Sequence, residues 1–247
     1  RVSAMSTTIP GPGKLMVSEV FGPTFQGEGP SLGQRAAFVR LGRCNLDCGR
    51  GPGATWACDT PYTWDWERFD RDVELRAVGI DDLVVQVAAM GVERVVVTGG
   101  EPLLQRRRLV PFLLAARERG WSVEVETNGT IAPPREVVVA VERFNVSPKL
   151  TGSGVPPERA LRADALAALR DSGRAVFKFV VAHPAELDEV AAVVDAHRLT
   201  PVWIMPAGTT AEAVLACGRA LADPVLDRGW HLTTRLHVLF WGSGRAR

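Results

Sequence analysis

The sequence has few of the residues that most zinc and disulfide sites require. It contains four cysteines in 247 residues, and its four histidines all lie at or beyond position 183. Four cysteines in a chain of this length do not form the disulfide framework of a small secreted protein, and no secretory apolar region precedes them. No apolar stretch reaches about 18 residues, the length that a membrane span needs. We therefore expect a cytoplasmic protein that neither spans a membrane nor depends on disulfides.

An excess of charge of one sign is also missing. Lys and Arg total 29 against 28 Asp and Glu, which gives a net charge of +1. Such a balance produces no positive electrostatic field that would attract the phosphate backbone of a nucleic acid, so nucleic acid is not an expected partner. Residues 1–13 mix small polar residues with Pro and Gly and are predicted to be a flexible N-terminal extension. Residues 14–247 are long enough for one large core, and we expect a single domain.

Three of the four cysteines lie close together in the sequence. Cys44, Cys48 and Cys58 form a C-x3-C-x9-C pattern that leads directly into Asp59 and Thr60. Three thiolates without a fourth nearby indicate an incomplete metal site, as in a four-iron cluster with one iron left open to bind a substrate. The alternative is zinc, which would need Asp59 or a distant histidine as its fourth ligand.

The fourth cysteine, Cys217, stands apart from the other three. It lies in an apolar run, Ala213 to Cys217, that has a helical pattern. A free cysteine in such a run is typical of a small core residue, so Cys217 is not expected to bind metal.

Short Val-rich runs alternate with helical patterns along most of the chain, which is typical of a parallel sheet. The predicted strands are residues 36–41, 94–97, 122–125, 144–146, 175–181, 202–205 and 232–240. The predicted helices are residues 80–90, 109–119, 135–142, 158–170, 185–197 and 210–222.

Polar or glycine-rich segments follow nearly every predicted strand. In barrels of parallel strands, this end of each strand carries the site. We therefore predict one ligand cavity across the open face of a complete or partial barrel. The segments begin at Arg43, Thr98, Glu126, Ser147 and Pro206, and Lys178 lies within the fifth strand.

Together these motifs resemble the radical S-adenosylmethionine enzymes, and more narrowly the 7-carboxy-7-deazaguanine synthase family. The resemblance extends from about residue 15 to His237. It rests on six ordered pieces: Phe25-Gln26-Gly27-Glu28-Gly29-Pro30, Phe38-Val39-Arg40-Leu41 before Cys44, Cys58-Asp59-Thr60, Thr98-Gly99-Gly100-Glu101-Pro102, Glu126-Thr127-Asn128-Gly129, and Ser147-Pro148-Lys149.

The resemblance implies a fold, a reaction and a set of cofactors. The fold would be a single-domain α/β partial (β/α)6-type barrel whose cluster-binding loop covers residues 43–60. The reaction would contract 6-carboxy-5,6,7,8-tetrahydropterin to 7-carboxy-7-deazaguanine, a precursor of queuosine and other 7-deazapurines, with loss of ammonia. The cofactors would be one 4Fe-4S cluster, S-adenosylmethionine and Mg²⁺.

The resemblance also assigns residues to the cofactors. Cys44, Cys48 and Cys58 would hold the cluster, and Thr60 would join the magnesium ion, which prefers hard oxygen ligands. S-adenosylmethionine would be bound by Gly99, Gly100, Glu101, Thr127, Asn128, Ser147 and Lys149. The two glycines would let the backbone approach the methionine group while the Glu101 carboxylate accepts from its ammonium. The alternative interpretation of this loop is an ordinary tight turn that enters a helix.

Four further residues would bind the substrate. A pterin presents adjacent N–H donors on its pyrimidine edge, which the Glu28 carboxylate can accept in paired fashion, while Gln26 can both donate and accept. Arg40 would bind the substrate carboxylate through its planar fork, unless it is only salt-bridged or exposed. His237 would face the substrate. The alternative interpretation is that His237 is a core residue of an apolar strand whose ring forms its hydrogen bonds within the protein.

The cluster loop departs from the family's commonest form. Nine residues, 49–57, separate the second and third cysteines, where the usual number is two. Closing the longer loop adds about 1 kcal/mol on the logarithmic rule, which is small beside the bonds that a cluster makes. We therefore expect the longer loop to be tolerated.

Two rival functions stay open at this point. One is another radical S-adenosylmethionine enzyme, such as an activase that makes a glycyl radical on a protein. The other is a non-catalytic iron–sulfur or zinc protein. For the favoured synthase, the resemblance implies a flavodoxin or ferredoxin as electron donor and a homodimer as the assembly.

Overall fold

The computed structural model describes residues 11, 13–242 and 244–246. The predicted flexible extension over residues 1–13 lies outside these residues except at positions 11 and 13, so it stays a prediction. The described residues form one mixed α/β unit around a single sheet.

The sheet has nine strands in the described part of the chain, in the order β3-β1-β2-β4-β5-β6-β7-β8-β9. Strand β1 pairs antiparallel with both β2 and β3, and all successive pairs from β2 to β9 are parallel. Because β3 and β9 are both edges, the sheet does not close, which confirms the predicted partial barrel. The strands are β1 (Lys14–Phe25), β2 (Arg35–Leu41), β3 (Arg76–Gly79), β4 (Arg94–Gly99), β5 (Ser122–Thr127), β6 (Arg143–Val146), β7 (Ala175–Val181), β8 (Val202–Pro206) and β9 (His231–Leu232).

Helices connect the parallel strands and cover the outer face of the sheet. None of the helices in the described residues is long and apolar enough to cross a membrane. The helices are α1 (Arg71–Glu74), α2 (Ile80–Ala88), α3 (Arg106–Glu118), α4 (Arg135–Ala140), α5 (Pro157–Ala160), α6 (Ala163–Asp171), α7 (Leu187–His197), α8 (Ala211–Asp227) and α9 (Leu236–Trp241).

The two faces of the sheet differ in chemistry, as the alternation along β4 shows. Val95 and Val97 are fully buried in the core that the sheet shares with the helices. Val96 and Thr98 point to the opposite face, where Thr98 lines a cavity. Because both faces are covered, the strand is a nearly continuous apolar run and becomes polar only at its carboxyl end.

The last predicted strand, residues 232–240, is wrong over most of its length. Only His231 and Leu232 pair with β8, and the chain then turns and forms α9. Periodicity cannot distinguish a short apolar run in a strand from one in a helix. In α9 only Val238 is buried, while Phe240 is 60% exposed, so the run does not form a fully buried strand.

The predicted helix over residues 158–170 is divided into α5 and α6. Leu161 and Arg162 between them have non-helical backbone angles. The two halves pack in different places, because Ala160 of α5 joins a small apolar cluster beside the cysteines and Leu166 of α6 joins the main core. The break lets one stretch of chain support both the cluster loop and the sheet.

Strands β1 and β3 do not appear among the predicted strands. They pair with each other over Lys14 to Val17, and β1 also pairs with β2. Register shifts interrupt the β1–β2 pairing, and Pro23 lies in one of the irregular stretches, so β1 does not follow a regular alternation.

Candidate active site

A cavity of about 720 Å³ lies where the parallel strands end at their carboxyl side. It is lined by residues from the loops after β2, β4, β5, β6 and β8 and by the segment that leads into α9. The predicted single cavity across the open face of the barrel is therefore present. The predicted site residues that line it are Gln26, Glu28, Arg40, Cys44, Cys48, Cys58, Thr60, Gly99, Gly100, Thr127, Asn128, Ser147, Lys149 and His237.

Cys44, Cys48 and Cys58 lie together on one side of this cavity and pack with Leu46 and Trp56. Burial raises the pKa of Cys44 to about 12 and also raises the pKa of Cys48. Burying a thiolate is unfavourable unless a positive group compensates for it, and thiolates are the ligands that iron–sulfur clusters use. The donor set therefore fits a cationic iron–sulfur group.

Within the described residues, no three or more His, Cys, Asp or Glu side chains are placed to hold one metal ion. A tetrahedral zinc site needs such a group. A four-iron cluster binds each cysteine to a different iron, so its sulfurs need not converge on a single point.

Three N–H groups lie near the cysteine sulfurs, and one of them is the side-chain amide of Asn128, whose Nδ2 lies 3.9 Å from Cys44 Sγ. The Leu46 backbone N–H lies 3.4 Å from Cys44 Sγ, and the Trp64 indole N–H lies 3.5 Å from Cys58 Sγ. Hydrogen bonds of this kind stabilise a thiolate and tune the potential of a cluster that it binds. Trp64 is not among the predicted site residues, so its contact with Cys58 is a finding of the structure.

The long loop over residues 49–57 docks on the segment that precedes α5. The backbone N–H of Gly49 donates to Ser153 O at 2.8 Å, and that of Thr55 donates to Gly152 O at 2.9 Å. A Cβ at Gly51 would lie 1.8 Å from Gly154 O, so only glycine allows this approach. The extra residues are therefore ordered against a neighbouring loop.

Gly99 and Gly100 pack the end of β4 against the loop that carries Cys44. A Cβ at Gly99 would lie 2.0 Å from Leu41 O, and one at Gly100 would lie 2.2 Å from Arg43 O. Both glycines are thus required by packing. They also line the cavity, so their backbone is available to a ligand. The tight-turn interpretation and the ligand-binding interpretation are compatible at this loop.

Glu101 does not line the cavity, unlike the other predicted site residues. It is fully buried, and its carboxylate accepts from Leu103 N at 2.9 Å, Thr127 Oγ1 at 2.8 Å and Asn128 N at 2.7 Å. Burial raises the pKa of Glu101 even though these donors oppose the shift. In this structure Glu101 ties the loop after β4 to the loop after β5. Its predicted contact with the methionine ammonium stays a prediction.

The remaining residues predicted for S-adenosylmethionine lie on neighbouring strand ends. Asn128 Nδ2 donates to Asn45 Oδ1 at 3.0 Å, which places its amide beside the cysteine loop. Lys149 Nζ donates to Ser147 Oγ at 3.1 Å, and the lysine charge acts on Cys48. The loops after β5 and β6 therefore bring polar groups towards the cysteines.

Glu28 forms the centre of a charged group that also lines the cavity. Its carboxylate contacts Lys178 Nζ, and Arg235 Nε lies 3.6 Å from its other oxygen. Burial alone would raise the pKa of Glu28, but Lys178, Arg235 and His237 outweigh burial and lower that pKa to about 2. Glu28 is therefore an ionised, acceptor-only group at neutral pH.

Gln26 belongs to a buried polar layer beneath Glu28. Its Nε2 donates to Glu126 Oε1 at 3.2 Å, and its Oε1 accepts from Glu28 N at 3.3 Å. Glu126 also accepts from Thr98 Oγ1 at 2.7 Å. The Gln26 amide therefore positions Glu28 and Glu126, and Gln26 is only 1% exposed.

Arg40 fits both of its predicted interpretations. Its Nε donates to Glu19 Oε2 at 2.8 Å, and its guanidinium lies over the Phe21 ring, 5.6 Å from the centroid. Arg40 also lines the cavity, where its ion pair with Glu19 fixes the position of the guanidinium.

Thr60 lines the same cavity, and its Oγ1 lies 3.7 Å from Cys58 Sγ.

His237 lies in the first turn of α9, since the strand predicted there is absent. A Cβ at Gly27 would lie 2.3 Å from His237 Nδ1, so the glycine makes room for the ring. Burial lowers the pKa of His237, although Glu28 opposes the shift. The imidazole at the cavity wall is therefore neutral at neutral pH.

The segment before α9 is held against the loop that carries Glu28. Leu236 N donates to Gly27 O at 2.9 Å, and Gly29 N donates to Thr233 Oγ1 at 2.9 Å. These contacts bring Arg235 and His237 to the cavity from a part of the chain far away in sequence.

Three charged residues that line the cavity were not assigned a ligand from the sequence: Lys178, Arg235 and Glu126. Lys178 and Glu126 were nevertheless among the polar strand-end positions that predicted the cavity. Lys178 is a buried lysine within a strand of otherwise apolar residues, and that pattern was a usable signal. Glu126 was part of a quoted motif but had no assigned role. Arg235 lies in a loop without a motif, so no sequence signal identifies it.

Cys217 is half-buried and packs against the main core, away from the other three cysteines. Its thiol donates to Val181 O at 3.3 Å and to Ala182 O at 3.4 Å. These contacts agree with a structural residue on α8.

The chain is similar to proteins of known function over most of its length. It is 36% identical to the 7-carboxy-7-deazaguanine synthase of Pyrobaculum aerophilum, over 95% of this chain and 98% of that protein. It is 37% identical to the synthase of the same name from Hyperthermus butylicus, over 83% of this chain and 80% of that protein. No protein-family model matches the chain.

Two solved structures share the fold. The crystal structure of QueE from Escherichia coli superposes with a TM-score of 0.65 at 24% identity and covers 91% of this chain and 95% of its own. Streptococcus suis SuiB bound to S-adenosylmethionine gives a TM-score of 0.53 at 15% identity and covers 80% of this chain and 50% of its own. The identity to the curated synthases over nearly the full length establishes that this chain belongs to the 7-carboxy-7-deazaguanine synthase family.

Proposed function

We propose that the protein is a 7-carboxy-7-deazaguanine synthase, a radical S-adenosylmethionine lyase that converts 6-carboxy-5,6,7,8-tetrahydropterin to 7-carboxy-7-deazaguanine and ammonia. One observation carries the proposal: a single cavity is lined by three cysteines and by the ionised Glu28 with Arg40 and His237. A cofactor bound at the cysteines would therefore share this cavity with a substrate bound at Glu28. The identity to curated synthases across nearly the whole chain supports the same reaction.

The cofactors follow from the cysteines and the strand-end loops that line the cavity. Cys44, Cys48 and Cys58 would hold the 4Fe-4S cluster, and the strand-end loops that begin at Gly99 and Asn128 would hold S-adenosylmethionine. When bound, the cluster and S-adenosylmethionine together supply the radical that abstracts hydrogen from the substrate. Thr60 would contribute a hydroxyl oxygen to a magnesium ion, a ligand type that this ion accepts.

The protein's own residues bind and orient the substrate. Glu28 accepts from the paired N–H groups of the pterin, and its ionised state keeps it from acting as a donor. Arg40, fixed by Glu19, presents its fork to the substrate carboxylate. His237 is neutral and can accept or donate a proton at the cavity wall.

The rival functions are less well supported. An activase of glycyl-radical enzymes would not need the Gln26-to-Gly29 segment, yet that segment forms one wall of the cavity. A non-catalytic metal protein would not need a set of ionised groups in the same cavity as the cysteines. The reported relatives carry neither of these names.

We further propose a flavodoxin or ferredoxin as electron donor, because radical initiation needs a strong one-electron reductant. We also propose a cytoplasmic location, where such donors operate.

A homodimer is supported by an exposed aromatic group, since Phe25 stacks on Trp241 with ring centroids 6.2 Å apart and Phe240 lies beside them. Light scattering should give twice the chain mass, and Trp241→Glu should reduce it; a monomeric wild type would contradict the dimer.

Anaerobic reconstitution with iron and sulfide tests the reaction. Incubation with the carboxypterin should form 7-carboxy-7-deazaguanine only when reductant, S-adenosylmethionine and magnesium are all present. Omission of each component in turn is the control. Formation of 5'-deoxyadenosine without the deazaguanine product would favour another radical S-adenosylmethionine enzyme, and the absence of both would favour a non-catalytic protein.

A further inference from the structure

Four buried side-chain polar atoms have no hydrogen-bond partner in the described residues: Ser18 Oγ, Ser122 Oγ, Asn145 Oδ1 and Arg235 Nε. Only Asn145 and Arg235 line the cavity. A buried polar atom that lacks a partner is unfavourable by itself, so one that lies at a ligand cavity indicates a bond completed by the ligand. Arg235 is the stronger case because it adjoins a predicted substrate-binding group.

The guanidinium of Arg235 is held in a fixed orientation. Its Nη1 donates to Gly208 O at 2.8 Å, and its Nη2 donates to Asp59 Oδ2 at 2.8 Å. Since a guanidinium is planar, these two bonds also fix the direction of the Nε–H. The side chain is only 12% exposed, so bulk water does not readily replace the missing partner.

The unpaired Nε lies beside the Glu28 carboxylate. It is 3.6 Å from Glu28 Oε1, which is beyond hydrogen-bonding distance, while Lys178 binds the other oxygen of that carboxylate. The cavity wall therefore presents a donor next to a pair of acceptors. A ligand that complements this wall needs an acceptor next to two donors.

The pyrimidine edge of a pterin has that order of groups. Its lactam oxygen accepts, and the neighbouring ring N–H and exocyclic amino group donate. We propose that Arg235 recognises the lactam oxygen of the pterin through Nε while Glu28 accepts from the two adjacent N–H groups. Arg235 would then be a specificity-determining residue, and this inference rests on the proposed pterin substrate.

The pairing selects against pteridines that have an amino group in place of the lactam oxygen. In such a compound an N–H would face the Arg235 N–H and leave both donors unsatisfied, and the neighbouring ring nitrogen would carry no hydrogen to donate to Glu28. A site built to bond one polar group rejects analogues that leave its buried groups unpaired. The 2,4-diamino analogue should therefore bind poorly although its size is almost unchanged.

Equilibrium binding tests the inference without turnover. The protein, loaded anaerobically with its cluster and S-adenosylmethionine, is titrated with 6-carboxypterin, a fluorescent pterin that keeps the same edge. Arg235→Gln should weaken binding by about 10- to 100-fold, the loss expected for one bond to a charged group. Arg228→Gln is the matched control, because Arg228 also bonds one backbone carbonyl and one aspartate but lies outside the cavity lining.

A second measurement compares two ligands. Wild-type protein should bind the 2,4-diamino analogue of 6-carboxypterin about 10- to 100-fold more weakly than 6-carboxypterin itself, and Arg235→Gln should reduce this preference. Equal affinity of the wild type for both compounds, or unchanged affinity in Arg235→Gln, would overturn the role of Arg235.

The two proposals fail separately. If wild-type protein forms 7-carboxy-7-deazaguanine but Arg235→Gln binds the pterin normally, the function stands and the recognition is wrong. If the wild type binds 6-carboxypterin with the predicted dependence on Arg235 but forms no product, the recognition stands and the reaction is wrong.

Discussion

Lys178 and Glu28, 150 positions apart in the chain, form an ion pair at the wall of the cavity. The side chains are 6% and 15% exposed, so the pair is largely removed from water. Burial lowers the pKa of Lys178, but Glu28 and Glu126 outweigh it, and the net shift is upward. The strand that carries Lys178 and the loop that carries Glu28 are thereby held together.

Removing one partner of this pair should destabilise the fold. Lys178→Met leaves a buried carboxylate without the cation that contacts it, although Arg235 and His237 stay nearby, and the free energy of unfolding should fall by about 3 kcal/mol. Urea unfolding of the apoprotein measures this free energy. The double variant Lys178→Met with Glu28→Gln should lose less than the sum of the single losses. Strictly additive losses would show that the two side chains are not coupled.

The same pair predicts how stability depends on pH. The pKa of Glu28 is about 2 in the folded protein and 4.5 as its ordinary value, so the unfolded chain binds more protons between these limits. The contribution of Glu28 is therefore fully present above pH 4.5 and decreases as the pH falls towards 2. Glu28→Gln should show a smaller loss of unfolding free energy between pH 5 and about pH 3 than the wild type. An identical loss in both proteins would contradict the assigned pKa.

Replacement of Cys58 and replacement of Cys217 should have different effects on cluster binding and activity. Cys58→Ser should abolish the iron–sulfur absorbance of reconstituted protein and all product formation, because serine oxygen is a poor ligand for iron of this kind. Cys217→Ser is the control, since a serine hydroxyl can keep the bonds to Val181 O and Ala182 O. Cluster absorbance and activity near normal are expected for it. Retained cluster in Cys58→Ser would remove that cysteine from the ligand set.

Packing at Gly100 should be necessary for cluster binding. A methyl group there would lie 2.2 Å from Arg43 O and 3.0 Å from Cys44 Cβ, so Gly100→Ala must displace the loop that carries Cys44. We expect at least a tenfold loss of activity, in line with a misplaced ligand of the metal site. Gly218→Ala is the control because its Cβ would meet only Pro206 Cγ at 3.4 Å, an ordinary contact. Equal activity in both variants would contradict the packing argument.

The sequence predicted the parallel strands and the cavity because both depend on local patterns. A strand buried on both faces is an apolar run wherever it occurs, and polar residues such as Thr98 at its carboxyl end interrupt that run visibly. The predicted site residues were recognised through motifs that follow these strands, and nearly all of them line one cavity.

Other features depend on contacts that no local pattern contains. Glu101 belongs to a motif, but its burial behind the cavity wall follows from three donors, two of them in the next loop. The position of the Arg235 side chain depends on its bond to Asp59, which lies 176 positions away in the sequence. The change from a predicted strand to α9 depends on Thr233 and Leu236 bonding to the Gly27–Gly29 loop.

The attachment of the segment before α9 to Gly27 and Gly29 has a consequence for assembly. This segment follows β9 in the chain, and together with α9 it contributes Arg235 and His237 to a cavity wall that also includes Glu28, which follows β1. A partly assembled chain that has built the sheet as far as β9 would have nearly all its regular structure but would lack these two residues at the cavity. Retention on an immobilised pterin would therefore report complete assembly more strictly than circular dichroism does.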